Sequence, residues 1–236
     1  MRVLGVHVCL VILFWVFPAG AVSRVIVEDM IAVEDEQVML RAETKGRLFS
    51  KGGQLVEFFV DEESLGKTLS GGDGVAFKPF TPTKTGLHQV RVRSGEAEDT
   101  GLLRSLKQGS GIVFVDVEGC LLDGPITREP RQGSQNAIRM MCEKFPIVFL
   151  QSGFVSLKAT KKWLKEHEFV ELPVIAWRGG AVFDRILEKG LSIEAIIASP
   201  KVIESAREHK ALSFSFRPVD DAKWVKDWDE IGRLLN

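Results

Sequence analysis

Two rhythms divide this chain. From Val25 to about Leu106 apolar and polar residues alternate with period two, and turns come often. In QVMLRAE, Val38, Leu40 and Ala42 fall on one face. In LHQVRVR, His88, Val90 and Val92 fall opposite Leu87, Gln89, Arg91 and Arg93. LVEFFVD, SLGKTL and GVAFKPF read as further short strands, with turns marked by KGG at 51–53, SGGDG at 70–74 and PTKTG at 82–86. Short strands with this Gly and Pro punctuation predict an all-β sandwich over residues 24–107.

After Gly109 the rhythm changes. IVFVDV is a continuous apolar run, the pattern of a strand covered on both faces. SQNAIRMMCEKF follows with Ala137, Ile138, Met141, Cys142 and Phe145 on one helical face, and Ser134 is placed to cap it. PIVFLQSG, LPVIAWRGG, IEAIIAS and LSFSF continue as strands. Between and after them SLKATKKWLKEH, AVFDRILEKG, PKVIESAREHK and DAKWVKDWDEIGRLL read as helices, the last carrying Trp224, Trp228 and Ile231 inward. Alternating strands and helices predict an α/β domain over 111–236, a doubly wound parallel sheet. KQGSG, Lys107–Gly111, reads as the linker.

The first residues stand outside this scheme. Met1 and Arg2 give a positive start, VLGVHVCLVILFWVFP is apolar but for His7, and Ala19-Gly20-Ala21 offers small residues to a signal peptidase. The stretch is shorter than the roughly 20 residues of a spanning helix. Residues 1–21 therefore read as a signal peptide, and the mature chain as secreted or periplasmic without a stable membrane span.

Composition narrows the partners. The chain is 45% hydrophobic and 27% charged, with 31 basic and 32 acidic side chains. A net charge of −1 with no basic run excludes a nucleic-acid partner held by phosphate neutralisation. Outside the signal two cysteines remain, Cys120 and Cys142. Export permits a disulfide between them, while the position of Cys142 on an apolar helix face reads as a small buried hydrophobe. His7, His88, His167 and His209 are scattered, which supports neither a zinc cluster nor a serine triad. Trp163, Trp177, Trp224 and Trp228 read as core.

Candidate chemistry gathers where strands of the second domain end, since a doubly wound sheet opens its crevice there. Asp116 and Glu118 end its first strand, Gln151 and Ser152 its second, Ser199 its fourth. The run Asp116-Val117-Glu118-Gly119-Cys120-Leu121-Leu122-Asp123 resembles the first motif of the haloacid dehalogenase-like superfamily, a strand ending in Asp-x-Asp-Gly-Thr. PIVFLQSG resembles its second motif, with Ser152 in the Ser/Thr place. The resemblance covers residues 111 to 236. It implies magnesium-dependent phosphoryl hydrolysis of a phosphorylated small molecule through an aspartyl-phosphate on Asp116. Glu118 would be the general acid and base. Ser152 and Gly153 would bind the phosphoryl group, and Mg2+ would sit on Asp116 and the carbonyl of Glu118.

The departures from the motifs are specific. Glu118 is one methylene longer than the usual aspartate, and Cys120 replaces Thr. Arg178, Lys189 and Lys201 are the candidates for the third-motif cation. The acidic fourth motif has Ala198 and Ser199 in its place, with Glu204 nearby and Asp220 and Asp221 one strand later. Two functions therefore stand side by side: weak hydrolysis, or a catalytically inactive domain that binds a phosphorylated ligand or a protein partner. A charged turn without chemistry is the plain alternative for Asp116 to Asp123, and an ordinary loop serine for Ser152.

The first domain has a resemblance of its own. Residues 55–92, LVEFFVDEESLGKTLSGGDGVAFKPFTPTKTGLHQVRV, resemble bacterial immunoglobulin-like modules, with His88 near the place of their usual tyrosine. That implies an adhesive or spacer role with no ligand specified.

Overall fold

The computed structural model of the chain describes residues 24–47, 49–124 and 129–235. The expected signal peptide lies outside them. The fold is largely β, in several sheets, with short helices. Strands β1 (Arg24–Val27), β2 (Met30–Val33), β3 (Val38–Lys45), β4 (Leu55–Val60), β5 (Glu63–Leu69), β6 (Val75–Phe80), β7 (Gly86–Ser94) and β8 (Ala97–Leu106) form the first half. They make a three-stranded sheet ordered β1-β3-β6 and a five-stranded sheet ordered β2-β8-β7-β4-β5.

The period-two pattern explains the packing. Val38, Leu40 and Ala42 of β3 face Val56, Phe58, Val90, Val92 and Leu103 across the gap, and all are buried. On the outer face of β7, Arg91 lies 3.9 Å over the ring of Phe59 and pairs with Glu62 and Glu98. His88 is no plain surface residue: it bonds Asp61 at 2.6 Å and the carbonyl of Lys84 at 3.1 Å.

In the second half, β9 (Gly111–Asp116), β10 (Ile147–Gln151), β11 (Val174–Ala176), β12 (Ser192–Ile197), β13 (Leu212–Ser215) and β14 (Lys223–Trp224) form a sheet ordered β11-β10-β9-β12-β13-β14. Every neighbouring pair is parallel. The helices are α1 (Ser134–Cys142), α2 (Leu157–Glu166), α3 (Ala181–Glu188), α4 (Pro200–Ser205) and α5 (Trp228–Leu234). Val113 and Val115 pack with Ile138, Leu164 and Trp228 on one face of the sheet, while Ile112 and Phe114 pack with Phe183, Ile186 and Val202 on the other. This two-sided burial is why β9 reads as an unbroken apolar run.

The two halves share that second face. Ile31 and Val33 of β2 and Leu106 of β8 belong to the same buried cluster as Phe114, Val148 and Leu150. Residues 107–110, in the short linker, form a tight turn: the N–H of Gly109 donates to the carbonyl of Gly190 at 2.9 Å, and that of Ser192 to the carbonyl of Ser110 at 3.0 Å.

Several expectations are corrected. Ser134 is the first helical residue, not the cap; Gly133 precedes it in the left-handed region, and the buried Ser134 hydroxyl has no partner among the described residues. Residues 221–235 are not one helix. Lys223 and Trp224 pair with Phe214 and Ser215 as an edge strand, leaving Trp224 54% exposed. The helix starts at Trp228 because the Asp227 carboxylate accepts the N–H of Glu230 at 2.8 Å. The helix expected from PKVIESAREHK stops at Ser205, and a 3₁₀ turn spans Arg207–His209. His209 is tucked against Phe183 and faces Asp184 at 3.2 Å. Cys120 and Cys142 are both free thiols. No helix among the described residues is long and apolar enough to cross a membrane.

Candidate functional site

The strand order reverses around β9, with β10 on one side and β12 on the other. The crevice of a doubly wound sheet opens at such a switch point. There Asp116 ends β9, and a single π-turn, Val117–Leu121, swings the chain away. Ser152 follows β10 and Ser199 follows β12, so the structure brings three of the expected residues together.

Asp116 is fully buried. Its Oδ1 accepts the hydroxyl of Ser152 at 2.5 Å and the N–H of Gly119 at 3.2 Å. Its Oδ2 accepts the hydroxyl of Ser199 at 2.6 Å and the N–H of the same residue at 3.1 Å. An ionised carboxylate offers about four lone-pair sites. These four donors take them all.

Gly119 makes the closure possible. A Cβ at that position would stand 2.3 Å from Asp116 Oδ2 and 2.8 Å from both N and Cβ of Ser199. Gly153 does the same for the neighbouring carboxylate, since its Cβ would meet Glu118 Cγ at 2.8 Å.

Glu118 is half-buried beside this network. Its Oε2 accepts the N–H of Ser152 at 2.9 Å, and its Oε1 faces the Thr160 hydroxyl of α2 at 3.4 Å. Burial pushes its carboxyl above the usual range and the charge of Asp116 adds to this, while the N–H groups of Ser152, Glu118 and Gly153 pull the other way. Cys120, where the motif has Thr, is buried, and its thiol is pushed well up by desolvation. It is an inert apolar residue here.

In front of Asp116 lies a cleft of about 430 Å³, lined by Glu118, Gly119, Leu122, Asp123, Gly124, Arg131, Ser152, Ser199, Pro200, Ser215, Phe216 and Arg217. Asp116 itself does not reach it. Among the described residues, two cations stand in the lining. Arg131 donates to the carbonyls of Cys120 at 3.1 Å and Leu122 at 3.2 Å, and lies 4.4 Å over the ring of Phe216. A guanidinium carries five N–H bonds, so two carbonyls do not exhaust it. Arg217 is exposed at the tip of β13. On the far side of Glu118 and Leu122 a hollow of about 60 Å³ runs between Val117, Val155, Ala159, Thr160 and Trp163.

The remaining expected residues lie elsewhere. Lys201 sits 4.8 Å over the ring of Trp177, and neither it nor Arg178, Lys189 or Glu204 lines the cleft. Asp221 pairs with Arg207 at 2.6 Å, and Asp220 is exposed. Gln151 turns back to the carbonyl of Gly153 at 2.6 Å. Arg131, Thr160, Ser215 and Arg217 were not singled out from sequence. The rule that found Ser199 would have found Ser215 and Arg217, since both stand at a strand tip. Arg131 and Thr160 carry no local signal.

The donor set does not fit magnesium. Asp116 has no lone pair left, and among the described residues no group of three or more His, Cys, Asp or Glu converges to hold an ion. Hard cations depend on carboxylate oxygens, and those of Asp116, closed off by their four donors, are not offered to the cleft.

No protein-family model matches the chain, and comparison with curated proteins finds no match. Among solved structures, it is similar to a carbohydrate acetylesterase from Xanthomonas citri at 8% identity and TM-score 0.38, over 87% of this chain and 71% of that one. The CARDB domain of a Pyrococcus furiosus protein, in complex with di-metal ions, aligns at 12% identity and TM-score 0.28, over 35% of this chain and 84% of that one. Fibronectin(III)-like modules of CbhA from Clostridium thermocellum align at 16% identity and TM-score 0.26, over 35% and 97%. Likeness at this level assigns no activity.

Proposed function

We propose that the second domain is a haloacid dehalogenase-like domain that binds a phosphorylated small molecule at its strand tips without transferring the phosphoryl group. The observation that carries this reading is the saturation of Asp116. A nucleophilic oxygen needs a free lone pair and an open line of approach, and both oxygens of Asp116 are fully bonded behind Ser152, Ser199 and Gly119. The cleft in front keeps groups that suit an anion: the guanidinium of Arg131 fixed by two carbonyls, and Arg217 at the rim. Glu118, with its raised pKa, opposes an anion less than an ordinary carboxylate would. The immunoglobulin-like sandwich joins it in an exported chain, as an adhesive or spacing module.

Titration with inorganic phosphate and phenyl phosphate tests the reading. Binding weakened by Arg131→Ala and Arg217→Ala, with no turnover of aryl phosphates in magnesium, supports it. Turnover abolished by Asp116→Asn overturns it in favour of hydrolysis, which requires Ser199 or Ser152 to release Asp116. A phosphate-indifferent cleft that captures another protein overturns it in favour of a protein-docking role.

A further inference from the structure

Asp29 belongs to the sandwich, in the bend between β1 and β2, yet most of its bonds are to the other half. Its side chain is fully buried. Oδ1 accepts the N–H of Leu102 in β8 at 2.8 Å and the ammonium of Lys161 in α2 at 2.6 Å, while Oδ2 accepts the N–H of Val174 in β11 at 2.8 Å. β11 is the edge of the six-stranded sheet and, among the described residues, pairs only with β10, so the N–H of Val174 faces away from the ladder. Asp29 closes that edge with an anion where another strand would otherwise add. A buried carboxylate so bonded is costly to misplace, because each donor it loses leaves charge unpaired in a low dielectric. It therefore fixes the position of whatever it holds.

What it holds is one residue from the candidate site. Thr160 precedes Lys161 on α2, is itself buried, and meets Glu118 through its hydroxyl. We propose that Asp29 is a positioning residue for the cleft: through Lys161 and the edge of β11 it sets α2 so that Thr160 covers Glu118. The sandwich is then part of the machinery of the site as well as a neighbour to it. The contact between the halves agrees with this, since Ile31, Val33 and Leu106 support the sheet face that contains Phe114 and Leu150, whose strands end in Asp116 and Gln151.

The experiment uses the full chain and the variants Asp29→Asn and Lys161→Met. The titration of the Glu118 carboxyl is followed by carbon NMR, alongside affinity for inorganic phosphate. When α2 loses its anchor, water reaches Glu118. Its titration midpoint should fall toward the ordinary carboxyl value, and phosphate affinity should drop by about tenfold, within the span of couplings between linked sites. A folded Asp29→Asn in which both readouts match the parent overturns the proposal. Lys161→Met leaves Asp29 its two backbone donors, so it decides the matter if Asp29→Asn does not fold. The ligand arm rests on the phosphate-binding reading, but the Glu118 titration does not. A parent chain indifferent to phosphate removes that reading and leaves the titration to decide this one.

Discussion

The hydroxyl of Ser199 lies 2.6 Å from Oδ2 of Asp116, and the N–H of the same residue reaches that oxygen at 3.1 Å. One residue thus supplies both donors to one carboxylate oxygen, from the end of the strand next to the one Asp116 ends. The tips of β9 and β12 are joined there by hydrogen bonds. Four outcomes follow from this site.

Ser199→Ala should destabilise the chain by about 1.5–3 kcal/mol, the worth of a hydrogen bond to a charged group. Asp116→Asn should cost more, because its NH2 replaces one oxygen and turns N–H bonds toward the two donors there. Chemical denaturation measures both. A Ser199→Ala midpoint equal to that of the parent contradicts the network.

Ser199→Asp places a second carboxylate against the first. Without an ion the two repel, and the variant should unfold earlier than the parent. Millimolar magnesium should restore it, by about 2.7 kcal/mol at a hundredfold excess over its dissociation constant. The parent should show the same melting temperature in magnesium and in chelator. A parent stabilised by magnesium would show that Asp116 can release its serine donors to an ion.

Gly119→Ala should be among the most damaging glycine substitutions, since the added Cβ lands 2.8 Å from the backbone nitrogen of Ser199 and 2.3 Å from Asp116. Gly232→Ala, inside α5 with nothing within 4 Å of the new Cβ, should instead stabilise by about 0.5–1 kcal/mol. Thermal melts of the pair compare close approach with open space on one scale.

Glu118→Gln should change how stability depends on pH. A carboxyl whose pKa is raised on folding binds its proton more tightly in the folded state. Its contribution is present below the ordinary value of about 4.5 and is lost as pH rises through the folded value. Relative to Glu118→Gln, the parent should therefore lose stability as pH climbs above 4.5, then run parallel to it once Glu118 is fully ionised. Denaturation midpoints across pH 4 to 8 test the sign; a parent gaining on the variant over the same window contradicts it.

The second half was legible where burial on both faces wrote an unbroken apolar run. IVFVDV and PIVFLQ gave β9 and β10, and the crevice rule then placed Asp116, Ser152 and Ser199 together. In the sandwich, strands with strict alternation, such as β3, were plain. The longest strand, β8, is not marked in the sequence, because Ala97, Glu98, Asp99 and Gly101 at its start are poor strand formers held in place by β7. The edge strand Lys223–Trp224 reads as helix in the sequence because Trp224, Trp228 and Ile231 share a helical spacing. The Asp227 cap ended that pattern locally. Asp29, Arg131 and Thr160 were not visible at all. Each matters through partners distant in sequence, Asp29 with Lys161 and Val174 above all, and no local pattern encodes such a pairing.

The seam between the halves carries a geometric consequence. Ile31, Val33 and Leu106 lie in the layer beneath the parallel sheet, and the turn at 107–110 is bonded to Gly190 and Ser192. Severing the chain at that turn would strip an oily floor from one fragment and leave an oily strand on the other, so neither could be grafted elsewhere as an independent cassette. Anything gripped by the outer surface of the sandwich is thereby held at a constant bearing from the mouth of the cleft, as on a single rigid bracket.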